Sequence, residues 1–481
     1  MFDDLRGYLN LLDEKGLLKR VENVDWNVEL GAITEIMAFS RNPKALLFDK
    51  IKNYPDGFQV ATNLFVTSKL QALALGLPEN ISGIGLVKAF RERLHSSQPI
   101  KPHEVSDGPV KENTMTGDEV DVLKFPVPIW HEGDGGRYFG TGDCVITKDP
   151  EEGWVNMGTY RLMVHDRKTL GLFCVPSHHG MIHIEKYWAK DEDAPVVITE
   201  GQDPALYAAS NAPLPWGYSE LDFAGALRGR PVDVIVDEET GLPVPATAEI
   251  AVFGHVVKGE LRDEGPFGEC TGYSSPVTPK PVIHIDRIWY RNNPILQGNP
   301  TMRGISASIH ALGAELMTSA WAWDSVEKDV MNVTGVYSLF QPCQVGSPMI
   351  AISIKQAFPG HARQAALAVL ASHAVALAPK IVVVVDDDID PSDIRDVLWA
   401  ITTRCNPGQD VDIIRGISTN PLDPSVTPQK REMDDITTEV MIIDATRKPF
   451  GFRDKFPKVN RINPELEARL VAKWGAKLGL E

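Results

Sequence analysis

The densest run of reactive residue types is Arg262-Asp-Glu264-Gly-Pro-Phe-Gly-Glu269-Cys-Thr-Gly272. Gly265, Pro266 and Gly268 deny this segment a regular helix or strand, so it has to turn. A turn can bring Glu264 and Glu269 together where a helix or strand would not. Two close carboxylates raise one another's proton affinity, which leaves one as a general acid near neutral pH. An arginine nearby would hold the other ionised. The plain alternative is a solvated acidic loop.

A second group is Asn156-Met-Gly-Thr-Tyr-Arg161, in a run that reads as a strand. Asn is disfavoured in strands, which points to a task for Asn156. Alternation places Asn156 and Arg161 on opposite faces. A bulge or a strand end is needed if both are to reach one site; otherwise the segment is a polar edge strand. Pro176-Ser-His-His-Gly180 stands at a strand-to-helix junction, and a helix N-terminus attracts anions such as phosphate. His179 and His183 have the spacing of a zinc pair but lack the HExxH pattern, so capping or surface chemistry is the alternative. Ser219-Glu220 opens a helix, where capping competes with a carboxylate on a metal. Asp386-Asp387-Asp388 follows a Val-rich strand and reads as a solvated strand end or helix cap. Phe139-Gly-Thr-Gly142 is a lone GxG without the strand–GxGxxG–helix setting of a dinucleotide fold.

These residues need a scaffold of several domains, because 481 residues exceed one compact core. Residues 1–115 read as an N-terminal α/β domain. Asp3 or Asp4 caps a helix with Leu5, Leu9 and Leu12 on one face, and a second helix runs from Val28 to Phe39. Strands follow at Ala45–Asp49 and Phe58–Asn63, then a linker from Ser96 to Thr116. Residues 116–320 turn to β pattern. Strands are expected at Gly142–Lys148, Trp154–Val164 and Leu170–Val175, with a pair at Val232–Asp237 and Ala248–Val257. Helices at Ile182–Lys190, Pro204–Ser210 and Glu220–Leu227 decorate this barrel-like sheet, and a long helix covers Ile305–Ala322. Residues 321–481 return to α/β. Strands at Met349–Lys355 and Ile381–Val385 alternate with helices at His361–Ala376 and Ser392–Thr402. An amphipathic helix, Asn463–Leu478, closes the chain with Pro464 in its first turn.

Composition narrows the function classes. The formal net charge is −17 and no basic tract exists, which argues against nucleic acid. The five cysteines are scattered without a CxxC pair, so a reducing cytoplasm is expected rather than a disulfide framework. The opening MFDDLRGYLNLLDEKG lacks a signal-peptide pattern. The most apolar stretch, Ala365 to Val385, is too interrupted to span a membrane.

The blocks DLRGYLNLLDEKGLLKRV, N-x-G-x-Y-R, SEL-x-FAGALRG, DEGPFGE-x-TGY, I-x-K-x-A-x-PGHA and DDDIDP-x-D-x-RDVLWA-x-TTR resemble, in order and over nearly the whole chain, the UbiD family of prenylated-FMN-dependent decarboxylases. The resemblance implies a central flavin-binding split β-barrel between the N-terminal α/β domain and a C-terminal α/β domain that carries self-association. It implies a divalent metal, Mn²⁺ or Mg²⁺, held by Asn156, His178 and Glu220 against the flavin phosphate; that oxygen-plus-imidazole set suits such ions better than zinc. Reaching His178 rather than His179 takes a one-residue gap after Arg161. K⁺ is expected on the backbone carbonyls near Ala209 and Ser210. Thr159, Tyr160, Arg161 and Ser177 are expected along the cofactor, with Lys355 at its phosphate.

By the same resemblance, Arg161 positions the substrate carboxylate, Glu269 is the general acid, and Glu264 bonds Arg161. The cofactor would accept the electrons left when CO₂ departs. Arg415-Gly-Ile417-Ser-Thr419 departs from the aromatic residue that ferulic acid decarboxylases carry there. Ile417, Thr419, Cys174 and Cys270 are therefore expected to line a pocket for an aromatic or heteroaromatic acid rather than a cinnamic acid. A flavin prenyltransferase would supply the cofactor, and the assembly would be a homodimer or homohexamer. An ordinary FMN oxidoreductase and a non-catalytic assembly subunit are the alternatives. The loss of Arg161, Glu264 or Glu269 would have suggested the latter, and none is lost.

Overall fold

The structure, a computed structural model, describes residues 1–302, 313–339, 349–375, 379–448, 450–460 and 462–479. The first helix, Leu5–Glu14, is capped by the Asp4 carboxylate, which accepts from the Gly7 N–H at 2.8 Å. It buries Leu5, Tyr8, Leu9 and Leu12 beside a four-stranded sheet. Strands Leu18–Glu22, Ala45–Asp49 and Gln59–Thr62 form that sheet, and Ile295–Gln297 returns from the far end of the central domain to complete it. Leu47 and Ala61 face one core, while Leu46, Phe48 and Val60 face another. Period-two alternation thus makes one sheet the wall between two cores.

The central sheet has nine strands, and its strand order does not close on itself, as a split barrel requires. The expected strand Trp154–Val164 is two strands, Val155–Gly158 and Arg161–Asp166, interrupted at Thr159 and Tyr160. They do not pair with one another. Val155–Gly158 is at one end of the strand order, on Cys144–Lys148, and Arg161–Asp166 lies next to the other end, between Tyr138–Gly140 and Thr169–Phe173. Three residues of chain reach about 11 Å at most, so the sheet curls until its ends are neighbours.

Two expectations about this region change. Asp233–Val236 pairs with Pro243–Pro245 and His103–Glu104, while Ile250–Glu264 runs between Ala194–Glu200 and Thr278–Tyr290. Spacing around a turn suggests a hairpin, but the long strand finds more apolar partners inside the barrel. The stretch expected as a linker supplies His103–Glu104 and Asn113–Thr116 to these sheets.

In the last third, strands Val333–Leu339, Met349–Ile354, Ile381–Asp386, Thr437–Ala445 and Val411–Ser418 form a five-stranded sheet in that order. Met349–Ile354, Ile381–Asp386 and Thr437–Ala445 pair in parallel, and the first two are apolar nearly throughout. The expected long helix Ile305–Ala322 falls partly outside the described residues. Within them, Gly313–Met317 forms a π turn that leads into the helix Thr318–Asp329. Asp386 and Asp388 are tied to Arg404 and Arg447, so part of the acidic run is a structural ion-pair network. The terminal helix Pro464–Leu478 is capped by Asn463 and leaves Leu466, Leu470, Val471 and Trp474 exposed. No helix among the described residues is long and apolar enough to cross a membrane.

Candidate active site

The break at Thr159 and Tyr160 decides the site. It releases Asn156 and Arg161 from strict alternation and sets Thr159, Tyr160 and Arg161 along one cavity. That cavity is lined by Thr141, Thr159, Tyr160, Arg161, Phe173, Val175, His178, Asn211, Phe267, Glu269, Cys270, Asn299, Thr301 and, from the C-terminal domain, Asn420 to Leu422.

Arg161 begins its strand, and Glu264 ends the long strand Ile250–Glu264. The guanidinium gives Glu264 a paired contact, Nε to Oε1 and Nη2 to Oε2, each 2.8 Å. Its Nη1 donates to Glu269 Oε1, and Nη2 reaches Ser275 Oγ at 3.5 Å. The rings of Phe173 and Phe267 lie over the guanidinium at 4.2 and 4.7 Å. Both carboxylates are buried, so the acidic-loop alternative does not hold. Burial pushes the Glu269 carboxyl above its ordinary range, with Arg161 opposing. Burial pulls on Arg161 too, but Glu269 and Glu264 outweigh it and move the guanidinium upward.

The turn between the acids needs Gly265, whose φ is +97°. A Cβ on Gly135, opposite, would lie 2.1 Å from the Gly265 carbonyl oxygen, so two glycines permit the close approach. Gly135 N–H donates to Pro266 O at 2.7 Å, and Glu269 N–H donates to Tyr273 O at 2.9 Å.

A second cluster forms around the buried Tyr160. Asn156 Nδ2 and the Gly180 N–H both reach the Tyr160 hydroxyl, at 3.4 and 3.2 Å. The His178 ring stacks on the Tyr160 ring with centroids 5.7 Å apart. Glu220 opens the helix Glu220–Arg228 and accepts from the Met157 N–H at 2.8 Å, next to Asn156. Asn156, His178 and Glu220 therefore meet through Tyr160 and Met157. His178 Nδ1 is buried with no hydrogen-bond partner. Burial, and then His179, lower the imidazole's proton affinity, leaving a neutral ring with a lone pair. Burial lifts Glu220 to about 8. A buried carboxylate with no cation beside it keeps its proton; a divalent ion would reverse that. The donor set and the orphan nitrogen fit such an ion.

His179 does not line the cavity. Its ring meets Trp154 at 5.4 Å and Trp216 at 5.3 Å, and His373 of the C-terminal domain is near enough to add to the lowering that burial causes. His183 is buried against Thr147 and Trp154. The zinc-pair spacing is therefore filled by aromatic packing.

Ser210 O accepts from Thr159 N–H at 3.3 Å, and Ala209 O accepts from Ala212 N–H at 3.0 Å. The Ser210 carbonyl thus stands directly behind the cavity wall at Thr159. Ser177 is exposed on the loop before the helix His179–Ala189. Lys355, just past Met349–Ile354, is exposed and is not among the lining residues.

Of the expected pocket residues, Cys270 lines the cavity and Cys174 does not. Cys174 is a buried free thiol whose side chain alternates away from the lining Phe173 and Val175. Ile417 and Thr419 stop short of the lining, and Asn420, Pro421 and Leu422 take that place. Thr419 is held instead by Ile436 O and Asp423. Thr141, Asn211, Asn299 and Thr301 had no sequence signal. They are single polar residues on separate segments, and only the curl of the sheet assembles them.

Three family models match the chain in series: the UbiD N-terminal domain over 9–90, the 3-octaprenyl-4-hydroxybenzoate carboxy-lyase Rift-related domain over 102–304, and the C-terminal domain over 311–445. A pyrrole-2-carboxylic acid decarboxylase of Pseudomonas aeruginosa is 34% identical over 427 residues, 85% of this chain and 84% of that protein. Vanillic acid decarboxylase of Sedimentibacter hydroxybenzoicus, in open form, superposes with a TM-score of 0.85 at 30% identity, covering 99% of this chain and 98% of that one. HmfF of Pelotomaculum thermopropionicum, solved with FMN, gives 0.83 at 30% identity over 97% and 98%. An evolved dimeric form of HmfF was solved with prFMN.

Proposed function

The chain belongs to the UbiD family of carboxy-lyases, and from that premise we propose that it decarboxylates an aromatic or heteroaromatic carboxylic acid, reversibly and without net oxidation, using prenylated FMN. One observation carries the reading: Arg161 is bonded to two buried carboxylates at the wall of a cavity that Phe173, Val175, Phe267 and Leu422 also line. Hydride transfer to a flavin has no use for that arrangement.

The bound flavin would supply the electron sink that makes loss of CO₂ possible. The protein's residues do the rest. Arg161, with Phe173 and Phe267 over its faces, presents one guanidinium to the substrate carboxylate. Glu264 takes the paired contact, so Glu269 is the more loosely held acid and the one that delivers a proton to the carbon CO₂ has left. Phe173, Phe267 and the segment Asn420 to Leu422 exclude water. Asn156, His178 and Glu220 would hold Mn²⁺ or Mg²⁺, and the carbonyls of Ala209 and Ser210 would hold K⁺, on the Thr159–Tyr160 side where a flavin phosphate would sit. Lys355 would meet the flavin phosphate.

The substrate reading follows from the lining. Two of the relatives are named as decarboxylases of ring acids, pyrrole-2-carboxylic and vanillic acid, and Val175, Phe267 and Leu422 offer apolar walls. A flavin prenyltransferase supplies the mature cofactor. The exposed face of Leu466, Leu470, Val471 and Trp474 is the contact through which the chain forms a homodimer or homohexamer, and the chain works in the cytoplasm. Changing Leu470 and Trp474 to Glu should lower the mass seen by light scattering at micromolar concentration.

The deciding experiment uses protein produced beside a flavin prenyltransferase. CO₂ release is screened over pyrrole-2-carboxylate, vanillate, 3,4-dihydroxybenzoate and cinnamate. Turnover of a ring acid supports the reading. Nicotinamide-driven flavin reduction without CO₂ release from any acid would overturn it in favour of an oxidoreductase.

A further inference from the structure

The turn that carries Glu269 is gripped from outside by residues with no place in the chemistry above. The Asp134 side chain is fully buried. Its Oδ1 accepts from the Gly268 N–H at 2.9 Å, one residue before Glu269. Its Oδ2 accepts from the His131 backbone N–H at 2.9 Å. The other side of the same residue is held as well, because the Thr301 hydroxyl donates to the Gly268 carbonyl. The His131 ring joins the two grips: Nδ1 lies 3.1 Å from both Asp134 oxygens, and Nε2 lies 2.8 Å from the Thr301 carbonyl oxygen. His131, Asp134, Gly268 and Thr301 thus close a ring of contacts.

The chemistry of that ring fixes its protonation. A backbone carbonyl only accepts, so Nε2 must carry a hydrogen. A carboxylate flanking Nδ1 accepts too, so Nδ1 must carry one as well. The ring is satisfied only as imidazolium, paired with the Asp134 carboxylate. The net upward displacement of its proton affinity agrees: burial opposes it, and Asp134 with the Thr301 carbonyl outweighs burial. Gly268 is needed here for space, because a Cβ would lie 2.8 Å from His131 Nδ1. The imidazole also meets the edge of Phe267 at 5.6 Å, and Phe267 covers Arg161.

We propose that His131 and Asp134 are a positioning dyad that clamps Gly268 and so aims the Glu269 carboxyl at Arg161 and the substrate carbon. The proposal rests on Glu269 being the proton donor. Neither residue touches substrate. Their effect passes through the Gly268 peptide, and a displacement of about 1 Å at a reacting group costs on the order of 10²-fold in rate.

The test compares Asp134→Ala, Asp134→Asn, His131→Gln and Glu269→Gln as cofactor-loaded enzymes, using the ring acid turned over fastest in the screen. Asp134→Ala should lower kcat by about tenfold to a hundredfold, with KM and bound flavin absorbance near wild type. Asp134→Asn keeps an acceptor for the Gly268 N–H and should recover part of the loss. His131→Gln should fall between Asp134→Asn and wild type, since its amide still donates to Thr301 O. Placing Asp134→Asn on Glu269→Gln should add no further loss, because a clamp on an absent acid has nothing to aim.

Several results would overturn the dyad. One is kcat within twofold of wild type in folded Asp134→Asn and His131→Gln. Another is a rise in KM at unchanged kcat, and a third is full additivity in the double variant. Should Asp134→Ala not fold, the isosteric Asn variant and the double variant decide alone. Wild-type turnover in Glu269→Gln would instead sink the proton-donor reading, which keeps the two failures apart.

Discussion

The Arg161 centre and the Asn156–His178–Glu220 cluster both bury carboxyl groups, but they stabilise them in opposite ways. At the first, one guanidinium bridges Glu264 and Glu269, and aromatic rings cover it. The charge compensation comes from the chain itself. At the second, Glu220 has only backbone donors, from Met157 and its own N–H, and the neighbouring imidazole nitrogen has none. Among the described residues, no cationic side chain pairs with Glu220. The lesson is that a buried site completed by protein is built to handle a proton, whereas one left short of a cation is built to receive a cation.

The sharpest way to break this comparison is at Glu269. Glu269→Gln keeps size and hydrogen-bonding reach but donates no acidic proton, so turnover should fall by about 10²–10⁴-fold. Bound flavin should stay near wild type, read from absorbance of the purified protein. Turnover within a few-fold of wild type in a variant that holds mature cofactor would remove Glu269 from the mechanism.

Arg161→Met tests the claim that the first centre is self-compensated. It strands two buried carboxylates, and breaking a buried pair costs about 3–5 kcal/mol. A clear drop in melting temperature at pH 7 is expected, smaller at pH 5 where the acids take up protons. Equal melting temperatures for variant and wild type at pH 7 would mean the pair is not desolvated.

Glu220 gives the opposite signature in metal-free protein. Its ordinary value is 4.5, and burial lifts it to about 8. Between those values the folded chain holds a proton that the unfolded chain has released. Stability therefore declines as pH rises through that window, and it levels off once the folded group also ionises. Saturating MnCl₂ should abolish the decline, and Glu220→Gln should flatten it without metal. A melting-temperature profile indifferent to Mn²⁺ would count against a metal at this cluster.

The smallest effect separates the two histidines. His178→Ala should weaken Mn²⁺ binding, measured by calorimetry, whereas His179→Asn should change it by only a few-fold. The reverse order would move the ligand one residue along the chain.

Much of the scaffold was legible because it is local. The Asp4 cap, the buried face of Leu5, Leu9 and Leu12, the helix at Pro204–Ser210 and the Val-rich strand Ile381–Asp386 follow from spacing and capping chemistry that a short window contains. The hairpin expected from Val232–Asp237 and Ala248–Val257 was not legible. The choice of a strand partner is settled by apolar area elsewhere in the sheet, not by the turn between neighbours. The pocket lining was misplaced by a few residues, from Ile417 and Thr419 to Asn420, Pro421 and Leu422, because a side chain's direction at a strand end depends on where pairing stops.

What the sequence determined by itself was the inventory: an arginine, two carboxylates set around a Gly-Pro turn, and an Asn, a His and a Glu in the order of one family. What only the tertiary structure decided was convergence. Arg161 lines the cavity and Asn156 sits behind its wall, at the Tyr160 hydroxyl, because Thr159 and Tyr160 break their strand and the sheet curls its ends together. His131 and Asp134 reach Gly268 across more than a hundred residues of chain. Local rules govern neighbours a few residues apart. Contacts at such separation are set by which long-range packing repays the entropy of closing the loop, and no window of sequence contains that sum.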